Sequence, residues 1–161
     1  MAKKKPIITN AMRHLVKEKI PFEPIFYEAD EVGENFGLQI AELTGLPPEK
    51  SFKTLVEKGD NVMVVCVPVN SEVDLKKLAK AAGEKKVELV GVRDLLALTG
   101  YIRGGVSPLG MKKKYDTYFH ESCLKFDKIA ISGGACGVTL LMTPQDLFNT
   151  TSGKVFDLIK D

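Results

Sequence analysis

The chain has 161 residues, a formal net charge of +2, and 44% hydrophobic and 27% charged side chains, an ordinary balance for a folded protein. That length suits one hydrophobic core rather than two, so residues 1–161 are expected to form a single domain. The longest apolar run, Val62–Val69, contains Pro68 and falls far short of the roughly 20 residues of a membrane helix. The basic start, Met1 to Pro6, is followed by no apolar stretch of the kind a secretory signal carries. A cytoplasmic protein without membrane attachment is the expectation.

Cys66, Cys123 and Cys136 are odd in number, widely spaced and without a CxxC pair, which argues against a disulfide framework. With only His14 and His120 to add, the supply of zinc ligands is thin, and neither a metal nor an organic cofactor is indicated. Each cysteine reads as a small buried hydrophobe, Cys66 within its valine-rich run most clearly.

Along the chain, Thr9–Lys19 predicts an amphipathic helix capped by Thr9, with Met12, Leu15 and Val16 on its inner face. Pro21–Tyr27 reads as extended. A loop with Asp30, Gly33 and Asn35 leads to a short helix, Phe36–Leu43, stopped by Gly45 and Pro47-Pro48. Ser51–Val56 and Val62–Val67 are β-rich runs joined by Glu57-Lys58-Gly59-Asp60, a hairpin signal. Val73–Ala82 predicts a helix ended by Gly83, Val87–Val90 a short strand, and Asp94–Leu98 a turn or two of helix. Tyr115–His120, Lys128–Ser132 and Val138–Met142 complete the strands. A last helix begins at Thr143, with Pro144 at its first position and Asp146 in its first turn. Helices and strands interleave, yet several neighbouring strands are joined by turns too short for parallel crossovers. A mixed α/β (α+β) sheet follows.

Three segments could carry chemistry. Lys53 sits in the β-rich run Ser51–Val56; it reads either as an edge-strand lysine facing water or as a fixed charge aimed into a cleft. The second segment, Thr99–Gly110, holds four glycines and includes Arg103, Gly104, Gly105 and Ser107. Its main chain could approach a ligand closely and offer N–H groups to a phosphate, carboxylate or oxyanion, or it could be a structural loop. Lys112, Lys113 and Lys114 follow at once, which suits a phosphate-bearing ligand. Arg103 and these three lysines are the candidate RNA contacts. The third segment, Ile131–Gly137, is a strand running into a small-residue turn, either a plain hairpin turn or a second wall of the same pocket. The GxSxG nucleophile pattern is absent.

FKTLV, GYIRGGVSPLGMKK and ISGGACG followed by TPQDL occur in order over nearly the whole chain. Together they resemble the YbaK/EbsC family of aminoacyl-tRNA deacylases, within the editing-domain superfamily of prolyl-tRNA synthetase. The resemblance implies a mostly antiparallel mixed sheet curled toward a barrel with surrounding helices. It implies removal of cysteine mis-attached to tRNA-Pro, with Cys-tRNA-Cys a further substrate, and an essential lysine at Lys53. Tyr27, Phe36 and Thr54 would line the pocket, Gly104 and Gly105 would give main-chain contacts, and Ser132 and Asp146 would form the opposite wall. Many relatives carry a long polar residue where this chain has Cys136. The resemblance further implies that the substrate thiol attacks its own ester, with tRNA and prolyl-tRNA synthetase as partners. The alternatives are an alanine-specific deacylase using water and a non-catalytic binder of an aminoacyl-tRNA end or nucleotide-like ligand.

Overall fold

Two hairpins form the frame. β2 (Phe52–Lys58) and β3 (Val62–Pro68) pair antiparallel, placing Thr54 opposite Cys66 and Glu57 opposite Met63. Their Val- and Phe-rich composition favours extended backbone, and the chain reverses where the Gly59 N–H donates to the Asn61 carbonyl at 3.0 Å. β6 (Ile129–Ala135) and β7 (Val138–Met142) make the second hairpin, and β1 (Glu23–Phe26) adds to the other side of β7. The computed structural model describes residues 7–28, 33 and 35–161; Asp30 of the expected loop lies outside them.

Around the first hairpin, β4 (Glu88–Leu89), β5 (Asp116–His120) and β8 (Lys154–Phe156) complete a sheet ordered β4-β2-β3-β5-β8. β5 runs parallel to β3, and β8 parallel to β5, while the other named pairs are antiparallel. The expected sheet is therefore mixed and mostly antiparallel, but it is divided in two. The three-stranded and five-stranded sheets meet at a parallel bridge between Ser51 and Ala130. This bridge links the two sheets.

Strand alternation divides the core. Phe52, Val56, Val64, Cys66 and Phe119 face inward with Ile129, Ile131, Val138 and Leu140 of the second hairpin. Met63, Val65, Val67 and Tyr118 point the other way, toward Leu78 and Ala79 of α3 (Leu75–Ala82) and Leu158. That helix starts two residues later than the sequence predicts. Asp74 caps it by accepting from the Lys76 and Lys77 N–H groups, and Val73 is spent in a bridge to Ile159.

α1 (Asn10–Lys17) is capped by Thr9, whose hydroxyl accepts from the Met12 N–H at 3.1 Å and donates to the Gly133 carbonyl. Its buried stripe is Ala11, Met12 and Leu15; Val16 faces water, because the stripe centres on the Ala11–Leu15 pair. The helix stops early where Lys19 turns left-handed at φ 58°. α2 (Phe36–Thr44) ends on Gly45 at φ 73°, and α4 (Leu95–Thr99) ends on Gly100 at φ 84°, conformations glycine adopts without strain. α5 (Pro144–Thr151) starts at Thr143 as expected, and its Phe148 ring meets Phe119 edge-on at 5.3 Å.

Glu57 is the costly residue of this frame. It is only 2% exposed, between Met63 and Leu89 in neighbouring strands, and its Oε2 has no partner. Burial pushes its carboxyl up to about 7. The unfolded chain releases that proton near 4.3, so folded stability falls as pH climbs from there through 7. Replacing Glu57 with Gln should remove this slope and raise stability at pH 8 by about 2 kcal/mol. Urea titrations of both proteins at pH 5 and pH 8 measure it, and equal slopes would refute it.

Candidate functional site

The site begins with a strand edge left bare. β4 covers β2 only at Glu57 and Lys58, after which the Val90 N–H donates to the Val56 carbonyl at 2.9 Å. At the other end β2 touches β6 through the Ser51–Ala130 bridge. Between these contacts no strand pairs with the outer side of β2 among the described residues. Peptide groups alternate sides along a strand. The Ser51 carbonyl points to β3, where it accepts from the Val69 N–H at 2.8 Å, and the Val56 carbonyl points away. Thr54 therefore turns its N–H and C=O away from β3, into the gap.

A cavity of about 500 Å³ occupies that gap. Phe52, Lys53, Thr54, Leu55 and Val56 run along its length; Phe36, Gly37 and Ile40 of α2 close one side. Leu89, Val92 and Leu95 close another, Arg103, Gly104 and Val106 come from the glycine-rich loop, and Tyr27, Ser132, Val138 and Thr139 from the second sheet. Gly37 is there for packing: a Cβ would lie 2.8 Å from Val69 Cγ1, so only glycine lets α2 settle on the end of β3.

The lining is largely apolar with few polar groups. The half-buried Lys53 loses hydration, which lowers the pKa of its amine, and the Glu72 carboxylate partly opposes this. The Tyr27 phenol is raised, chiefly by burial, with a hydrogen bond from the Gly137 backbone acting the other way. Thr139 spends its hydroxyl on the Ile131 carbonyl at 2.9 Å, while Ser132 Oγ accepts from the Gly134 N–H at 3.3 Å. Among the described lining residues there is no carboxylate, histidine or cysteine. Among these residues Ser132 is paired with no histidine or carboxylate base, and the groups that stand out are a fixed charge and an apolar shape.

The structure gathers Tyr27, Phe36, Lys53, Thr54, Arg103, Gly104 and Ser132 around this space. The other candidates lie outside the lining. Gly105 donates its N–H to the Ile102 carbonyl at 2.9 Å, and its Cα rests against the backbone of Ala135. Ser107 is fully buried, its hydroxyl accepting from the Leu109 N–H at 3.2 Å, so it braces the loop. Asp146 stands in the first turn of α5, where its N–H meets the Thr143 hydroxyl. Lys112, Lys113 and Lys114 are exposed, with the Lys114 ammonium 3.2 Å from Ser152 Oγ. The unforeseen lining residues are mostly aliphatic, with no chemical mark in sequence; Gly37, a glycine inside a helical run, was the available clue.

A mixed α/β frame with an apolar cavity, one half-buried ammonium and an open strand edge defines a protein that takes up a small group or the end of a larger chain. The chain belongs to the aminoacyl-tRNA editing domain family, whose model matches residues 38–150. It is 41% identical to EbsC of Enterococcus faecalis over 98% of both chains; that protein's name proposes a Cys-tRNA(Pro)/Cys-tRNA(Cys) deacylase. Over 46% of this chain it is 37% identical to proline–tRNA ligase 1 of Streptomyces avermitilis, covering 13% of that enzyme. In fold it matches a crystal structure described as a proposed trans-editing enzyme for prolyl-tRNA synthetase. The TM-score is 0.85 at 22% identity, over 97% of this chain and 100% of that one.

The close seat of Gly105 generates a prediction. A Cβ there would lie 2.8 Å from Ala135 Cα, backbone against backbone, so the loop must move. Gly105→Ala should cost about 1–3 kcal/mol of stability. Thermal unfolding measures this, and an unchanged melting temperature would show that the loop floats free of β6.

Proposed function

We propose that residues 1–161 act as one aminoacyl-tRNA deacylase domain that removes cysteine mis-attached to tRNA-Pro, in the cytoplasm. The observation that carries this reading is the position of Lys53 on the bare edge of β2, in one cavity with Gly104 and the outward peptide groups of Thr54. The EbsC likeness over nearly the full chain supports the same substrate, with Cys-tRNA-Cys a second. No described helix is long and apolar enough to cross a membrane.

An aminoacyl ester is already activated, so its cleavage does not demand a strong protein nucleophile. In the proposed reaction the substrate's own thiol attacks its carbonyl carbon. A C–S bond forms, the C–O bond to the terminal ribose breaks, and the thiol proton passes to the departing ribose oxygen. The products are a cyclic thiolactone and free tRNA. Intramolecular attack gains chiefly from orientation, where effective molarities reach about 10⁵ M or more.

The apolar walls exclude water and hold the aminoacyl group folded for attack. The Lys53 ammonium stabilises negative charge on the carbonyl oxygen or the departing ribose oxygen, and the peptide around Gly104 holds the terminal ribose. Gly104 sits at φ 88°, which lets its main chain face the ligand. Phe36, Tyr27 and Ser132 shape the far side. Arg103 stands exposed at the cavity and Lys112–Lys114 lie further along the same segment, where they meet phosphates of the acceptor end. With so few cations, prolyl-tRNA synthetase supplies the choice of tRNA.

Replacing Lys53 with Ala should lower cleavage of cysteinyl-tRNA-Pro by about a hundredfold or more while the melting temperature is unchanged. Full activity in that variant would remove the lysine from the mechanism. Seryl-tRNA-Pro, which lacks the thiol, should be left essentially intact by the wild type. Its rapid hydrolysis would show attack by water instead. Binding to free tRNA should be weak and salt-sensitive and discriminate little among tRNA bodies; tight, selective capture of tRNA-Pro by the isolated protein would exclude the need for a partner.

A further inference from the structure

We infer that Cys66, buried behind the cavity wall, is a positioning residue that fixes which side of Thr54 the substrate meets. The inference rests on the deacylase reading for its kinetic consequence, but its geometric content stands apart from it. Thr54 and Cys66 are direct partners in the β2–β3 register. Because the peptide groups of Ser51, not those of Thr54, face β3, the Thr54–Cys66 pair is of the non-hydrogen-bonded kind, in which facing side chains come closest. Thr54 Oγ1 lies 3.7 Å from Cys66 Sγ, a hydrogen bond at sulfur range.

Threonine carries a hydroxyl and a methyl of nearly equal size on one carbon, and few rotamers are open to it. In a cavity this apolar, sterics alone choose poorly between presenting the oxygen and presenting the methyl. The sulfur breaks the tie. Cys66 is completely buried, and its thiol stays protonated across the physiological range, pushed up to about 12 by that burial. It therefore has a proton to give and a local acceptor in Thr54 Oγ1. When the thiol donates, the Thr54 hydroxyl proton is free to point at a ligand. Thr139, by contrast, has committed its hydroxyl to the Ile131 carbonyl. Thr54 is then the threonine of the lining able to donate to the substrate, alongside its outward peptide groups.

A double-mutant cycle tests this. Cys66→Ala should lower kcat/KM for cysteinyl-tRNA-Pro by about threefold to tenfold, the scale of one neutral hydrogen bond. Cys66→Ser, whose hydroxyl also donates but sits on a shorter bond, should restore only part of that loss. In a Thr54→Val background, Cys66→Ala should change nothing further. An equal loss in both backgrounds would mean that Cys66 only fills space, and no loss in either would mean it does not position Thr54; both overturn the proposal. Cys66→Val, which refills the volume, replaces the alanine variant should that one unfold. NMR couplings supply an arm independent of activity: Thr54 should hold one χ1 rotamer in the wild type and average in Cys66→Val. Averaging in both proteins, or in neither, sinks the inference even if the enzyme is active. An inactive wild type with the expected rotamer change would sink only the deacylase reading.

Discussion

The rest of the site depends on one unmade pairing. The chain meets β6 at Ser51 and β4 from Val56 onward, and among the described residues no strand pairs with the outer side of Thr54 between them. An unpaired peptide group in a dry interior costs about 1–3 kcal/mol, so such an edge persists only where water or a ligand can satisfy it. A cavity of about 500 Å³ supplies that room. α2, the β4–α4 segment and the glycine-rich loop act as spacers that keep another strand from closing the gap. They also create the apolar surroundings in which a single ammonium has long reach.

The glycine-rich loop divides its labour in a way its composition conceals. Gly104 lines the cavity, whereas Gly105 is pressed against Ala135 and has given its N–H to Ile102. Ser107 and the Tyr101 hydroxyl, which donates to the Leu109 carbonyl, brace the segment from within. The loop is a strut clamped between α1 and the β6–β7 turn, for Gly110 in turn lies against the Asn10 carbonyl. A ligand contact built on such a brace needs little reorganisation on binding.

The elements with strong local signals were legible in the sequence. The Thr9 and Thr143 caps, the β2–β3 hairpin and the helix stops at Gly45 and Gly83 each follow from short-range chemistry. What sequence could not supply was long-range placement. β8 lies three residues past α5 and pairs in parallel with β5, a contact that no local pattern announces. Ile131–Gly137 reads as strand then turn, yet β6 runs on to Ala135 through an irregularity after Ser132, leaving Cys136 and Gly137 as the turn. Within the site, Lys53, Thr54, Arg103, Gly104 and Ser132 fall in the recognisable motifs, whereas Tyr27 and Phe36 follow only from the family resemblance and Thr139 carries no local signal. Lys112–Lys114 show the limit of adjacency: following the loop in sequence did not bring them to the cavity in space.

The order of strands in the larger sheet also governs how the molecule can be assembled. The two hairpins join neighbours in sequence and can form as soon as each is made. β5 must await residues 154–156 before its second side is covered, because the strand that covers it follows every other strand of that sheet in the chain. A nascent chain thus carries the residues of its pocket, up to Thr139, before it holds the strand that seals the opposite flank of its sheet. Closure of that flank therefore comes after the pocket residues have been made.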